Sequence, residues 1–128
     1  MQPAEEFRKL VAFLGKIPAI DCDIAQIGSG RFDNGNWWVK FALRLEHPLA
    51  WRTVQELGHV LNYLSIDQRL PTVFKPVSPP PHLNGGVEFL SWVIESSASE
   101  LTPDEAAQWL ECRLPRPVDD VSQWAEEP

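Results

Sequence analysis

Asp21 and Asp23 stand two apart, a spacing that on a strand puts both carboxylates on one face. Paired carboxylates can shuttle a proton or hold a hard cation. These two flank Cys22 at a strand start after a turn, where solvated acids are commonplace. A small enzyme or ligand-binding domain using Asp21 and Asp23 therefore stands as an alternative rather than the lead. The other reactive side chains are dispersed. Cys22, Cys112, His47, His59 and His82 show no pair at ligand spacing, so neither a metal site nor a cofactor is expected. His47 directly precedes Pro48 and suits a helix cap, while His59 has apolar neighbours and suits a core or boundary position. No Ser or Cys has a candidate base beside it, and Gly28-Ser29-Gly30 leads into a strand rather than a helix N-terminus. No catalytic residue is expected, and the chain reads as a non-enzyme.

The informative pattern is electrostatic. From Glu95 to Pro128 there are nine acidic side chains and two basic ones, so this stretch holds the whole formal charge of −7. Before it, acids and bases balance. A one-sided field biases encounter toward cationic surfaces and away from nucleic acid. The cluster Arg31, Lys40, Arg44 and Arg52 is modest and compensated, so direct nucleic-acid binding is not expected. Glu105 and Trp109, four apart, are neighbours on a helix, and Asp119, Asp120 and Trp124 repeat the mixture of acids and an aromatic. Aromatic anchors inside a charged rim are what a steered, tight protein interface uses. Glu105, Trp109, Asp119, Asp120 and Trp124 are therefore the candidate partner-binding residues. The competing expectation is that both tryptophans are core and the acids an ordinary solvated face. Pro76-Val77-Ser78-Pro79 has a P-x-x-P spacing within a proline-rich stretch reaching Pro81, which is either a stiff connection or a second contact element.

At 128 residues and 14.5 kDa, with 44% apolar and 23% charged residues, the composition is that of one globular domain. We expect it to span residues 1–117, with 118–128 as an acidic C-terminal tail. Two isolated cysteines do not make a disulfide framework. Glu5 and Glu6 interrupt any signal-like apolar run, and no stretch is long and apolar enough to cross a membrane. A cytoplasmic location is the expectation.

These residues need a frame. Phe7, Leu10, Val11 and Leu14 predict a first helix, stopped by Gly15 and Pro18. Asn34-Gly35 predicts a two-residue type I′ hairpin turn. That turn opposes Phe32 to Trp37, Arg31 to Trp38, Gly30 to Val39 and Gly28 to Phe41, with Arg31 and Trp38 forming a cation–π pair. A second helix from Pro48 to about Leu64 should bury Val54, Leu57, Leu61 and Leu64, with Trp51 and Val60 widening the stripe. Gly58 there suggests close approach to the sheet. Strands follow over Thr72–Val77 and Val87–Glu95, the latter apolar on both faces and so central. Thr102-Pro103-Asp104-Glu105 is a capping box opening a last helix that ends at Leu114. The order α-β-β-α-β-β-α predicts an α+β fold: an antiparallel sheet of about four strands with helices packed on one face.

In size, acidity and aromatic content the chain resembles bacterial immunity proteins, such as barstar and the colicin immunity proteins, which cover the active sites of basic nuclease toxins. No motif is shared, so no site residue carries over. The resemblance implies an immunity or antitoxin-type inhibitor whose partner is a basic, nuclease-like toxin domain. The residues alone imply an acidic protein-binding domain, with an adaptor or accessory subunit of a bacterial assembly as the alternative, favoured if the proline loop, Trp38 and Ala42 form an exposed patch.

Overall fold

Helix α1, Glu5–Leu14, forms where the apolar spacing puts Phe7, Leu10 and Leu14 on one buried stripe. The computed structural model describes residues 5–21, 28–44, 46–63, 71–76, 90–98 and 100–125. Cys22, Asp23, Leu64, Val77, Pro79–Pro81, His82 and the predicted start of the last strand at Val87 lie outside the described residues. After α1 the chain turns through Ala19 at φ 76, a left-handed conformation uncommon for a residue with a Cβ. Two hydrogen bonds hold it there: the Arg44 N–H donates to Ala19 O at 2.8 Å, and Thr53 Oγ1 donates to Pro18 O at 2.7 Å. Thr53 is itself buried, so its hydroxyl is satisfied by the turn it fixes.

The hairpin joins β2 (Gly28–Arg31) to β3 (Trp37–Leu43), with a register one residue away from expectation. Arg31 pairs Trp37, Gly30 pairs Trp38, Ser29 pairs Val39 and Gly28 pairs Lys40. The turn is a three-residue loop. Gly35 N–H donates to Phe32 O at 3.0 Å, Phe32 N–H to Asn36 O at 2.7 Å, and Gly35 alone has positive φ, at 91. The Asn36 N–H also donates to Asn34 Oδ1 at 2.9 Å, so the Asn side chain serves the turn instead of its backbone adopting αL. This turn followed by a left-handed Gly is the other common hairpin solution. It seats the glycines under the indole of Trp38: a Cβ on Gly30 would lie 2.9 Å from that ring and one on Gly28 3.4 Å. Arg31 correspondingly makes no cation–π pair with Trp38. Its guanidinium binds the Glu6 carboxylate and Gly35 O instead.

Strands β1 (Ile20–Asp21) and β2 share one side of β3, end to end. On its other side β3 pairs β5 (Leu90–Ser96), which in turn pairs β4 (Thr72–Pro76), every pairing antiparallel. The sheet is thus four strands wide with β5 internal, and the chain has the expected α+β fold. Trp37, Val39, Phe41 and Leu43 of β3 alternate onto the core face beside Ile94 and Phe74. Phe74 stacks on Trp92 at 4.7 Å between ring centroids, and Phe7 meets Trp37 edge-on at 6.2 Å. The opposite face is also buried at its centre, at Ala42, Ser91 and Val93, so Ala42 is no part of an exposed patch and Trp38 is half-covered.

Helix α2, Ala50–Gly58, continues as a π-helical turn, His59–Tyr63. It buries Ala50, Thr53, Leu57, Val60 and Leu61, with Val54 only half-buried. Trp51 does not widen this stripe but is 59% exposed. The buried set runs through Thr53 because the chain must hold the Pro18 turn there. Nothing lies within 4 Å of a Cβ placed on Gly58, so that glycine marks the change of helix type rather than a close approach. Helices α3 (Pro103–Arg113) and α4 (Val121–Ala125) complete the layer on the core face.

Candidate partner-binding surface

The sheet fixes where α3 begins. Trp37 Nε1–H donates to Leu101 O at 2.6 Å, and Trp37 N–H to Ser96 Oγ at 2.9 Å, so a core indole anchors the residue before the cap. The capping box then closes as expected: Glu105 N–H donates to Thr102 Oγ1 at 3.1 Å, and Thr102 N–H to Glu105 Oε1 at 2.9 Å. Beyond it α3 buries Ala106, Ala107 and Leu110 and exposes Asp104, Glu105, Gln108 and Glu111. Exposed as it is, the Glu105 carboxylate is committed to the cap.

Trp109 is half-buried against the core, and the Arg113 guanidinium lies 3.5 Å from its ring centroid. A cation seated on the ring face occupies the surface an anchor would offer. The Trp109 indole N–H is buried without a hydrogen-bond acceptor. Asp120 is half-buried and caps α4: its Oδ1 accepts from Ser122 N–H at 3.0 Å and from Ser122 Oγ at 2.7 Å. Trp124 is fully buried, its Nε1–H donating to Val118 O at 2.8 Å. Segment 118–125 is thereby seated on the body of the domain. Of the five residues singled out in sequence, only Asp119 is an exposed side chain with no structural duty in this region.

Asp119 lines an open cleft of about 530 Å³ with Phe13, Lys16, Glu111, Arg116, Pro117 and Val118. A second, shallower depression joins Glu5, Glu6, Arg8, Lys9 and Ala12 of α1 to Asp104 at the start of α3. The two helices therefore lie side by side: α1 sets Arg8 and Lys9 near Asp104, and Lys16, just past α1, shares the first cleft with Glu111 and Asp119. The Glu6 carboxyl in that region is held below its ordinary value, chiefly by its hydrogen bonds to Arg31, against a small opposing effect of burial.

Among the described residues no group of three or more His, Cys, Asp or Glu side chains could hold a metal. His47 Nδ1 accepts the Leu49 N–H at 3.0 Å, so it organises the approach to α2. His59 departs from the expected core or boundary position: it is exposed and stacks on Tyr63, ring centroids 5.4 Å apart. Trp51 on α2 is exposed as well, as is Tyr63. Asp23, the second carboxylate of the expected Asp21/Asp23 pair, lies outside the described residues. No helix of the described chain is long and apolar enough to cross a membrane. No family model, curated protein or solved structure matches the chain.

Proposed function

We propose that this chain is a non-enzymatic, cytoplasmic protein-binding domain that takes a basic partner, and that it acts as an immunity-type inhibitor of a nuclease-like toxin domain. One observation carries the reading. Glu100, Asp104, Glu111 and Asp119 are exposed along α3 and its flanks, and no hydrogen bond or ion pair engages them among the described residues. Carboxylates left free on a stiff, capped helix are available to steer a cation-rich surface. Arg8, Lys9 and Lys16 beside them make the surface mixed, so complementarity as well as net charge would select the partner.

The test is capture of a basic protein from the source cell, followed by association kinetics and an assay of the captured protein's activity. Neutralising Asp104→Asn, Glu111→Gln and Asp119→Asn together should slow association several-fold and flatten its salt dependence while leaving the fold intact. Saturating stoichiometric chain should abolish the captured protein's activity. Association indifferent to salt and to this triple change would sink the electrostatic reading. A second reading, an adaptor docking through apolar surface, is favoured by Trp51 and Tyr63, 59% and 65% exposed. It predicts that Trp51→Ala with Tyr63→Ala speeds dissociation while the charge variant does nothing.

A further inference from the structure

Strand β4 ends the sheet among the described residues, and an edge strand presents backbone N–H and C=O groups that another chain can pair with. In an antiparallel ladder alternate residues turn both groups to the same side. Ser97 N–H donates to Pro71 O at 2.9 Å, which puts Val73 and Lys75 on the side of β5 and turns Thr72, Phe74 and Pro76 outward. The middle of that outward row is already occupied. Asn62 Nδ2 donates to Phe74 O at 2.9 Å, and the Phe74 N–H donates to Asn62 Oδ1 at 2.8 Å. One side-chain amide therefore makes the pair of hydrogen bonds that a residue of an added strand would make. On one side of it Pro76 has no N–H to offer. On the other, Thr72 Oγ1 donates to Leu61 O at 2.9 Å and ties the strand to the same helical turn. That turn, His59–Tyr63, is π-helical, a local widening found frequently at functional sites.

We propose that Asn62 is a plug closing the β4 edge against strand addition by a second copy of this chain, and that the π-helical turn exists to present it. The occupant follows from symmetry: every copy carries the same outward row, and two β4 edges can pair antiparallel about a twofold axis. Thr72-Val73-Phe74-Lys75 is a β-prone stretch whose removal from such pairing needs a specific device. This inference is independent of the partner proposed above.

Two measurements decide it. In the wild-type chain the Phe74 amide should exchange with solvent at least about tenfold more slowly than an unpaired amide, since Asn62 holds it. Exchange at the free rate overturns the proposal. Sedimentation across a concentration series should then show Asn62→Ala self-associating at least about tenfold more strongly than wild type, with Val73→Lys in the same background reversing the effect, because an edge lysine opposes strand pairing. A folded Asn62→Ala that associates no more than wild type overturns the plug, and association that Val73→Lys leaves untouched overturns the edge as its route. Asn62→Ser, too short to reach both backbone groups, replaces the alanine variant should that one not fold, with the same outcomes decisive.

Discussion

Two carboxylates before Ile94 are held by arginines, whereas two in the last third are held by helix ends. Glu6 holds Arg31 and Glu56 holds Arg52 in the first region, while Lys75 reaches across to Glu95 at the boundary. In the last third Glu105 serves the N-terminus of α3 and Asp120 that of α4, and neither is in an ion pair. The lesson is that net charge does not assign a job to any one acid. An unpaired backbone N–H at a helix start takes the nearest carboxylate whatever the field of the whole segment. The acids left for a partner are those with no helix end to serve.

The comparison breaks most directly at Trp124. If the terminal segment is part of the body, Trp124→Ala should cost about 3–5 kcal/mol, as for other buried large-to-small changes. Chemical denaturation reads this, and a loss below about 1 kcal/mol would make the segment an appended arm. Next in size is Gly35→Val. A β-branched residue at φ 91 should cost about 1–2 kcal/mol, seen as a lower denaturation midpoint with unchanged slope. Thr102→Ala removes half of the capping box and should cost about 1 kcal/mol. Asp120→Asn should cost almost nothing, since Asn caps as well as Asp. If instead Thr102→Ala is silent and Asp120→Asn is damaging, the last third relies on its charge rather than its caps.

Much of the frame was legible in the sequence because periodicity and cap chemistry are local. The α1 stripe, the Thr102 cap, the alternation of β3 and the internal place of β5 all follow from short patterns. What escaped depended on contacts far along the chain. The hairpin register turned on one extra loop residue, since Asp33-Asn34-Gly35 suits a three-residue loop as well as Asn34-Gly35 suits a two-residue one, and the shift decides which residue Trp38 opposes. Trp51 left the stripe expected to bury it, and Trp124 took the core place of the two open to it, because a tryptophan's size does not say whether it faces in. Trp124 is covered only because Asp120 starts a short helix that turns it inward; Trp51 is left out because Thr53 must face the Pro18 carbonyl. The Asn62 plug was invisible for the same reason: an Asn in an apolar helix gives no sign of the strand it will meet.

The smallest expected effect tests the balanced half of the comparison. Glu6 and Arg31 form a forked, solvent-exposed pair, with the Arg31 Nε at 3.1 Å from the carboxylate, and exposed pairs contribute little. Its sign is nevertheless fixed. The Glu6 carboxyl is held below the ordinary value of 4.5, mainly by the hydrogen bonds from Arg31, so the folded chain binds a proton there less readily than the unfolded one. The pair's contribution is therefore fully present above that ordinary value and is lost as pH falls through the lower, folded one. Glu6→Gln should be slightly less stable than wild type at neutral pH and indistinguishable from it in strong acid, with the gap narrowing as pH drops below 4.5. Raised salt should shrink the neutral-pH gap as well. A gap that persists unchanged into acid would mean that the glutamate contributes through its packing on α1 and that the charge balance of this half is incidental.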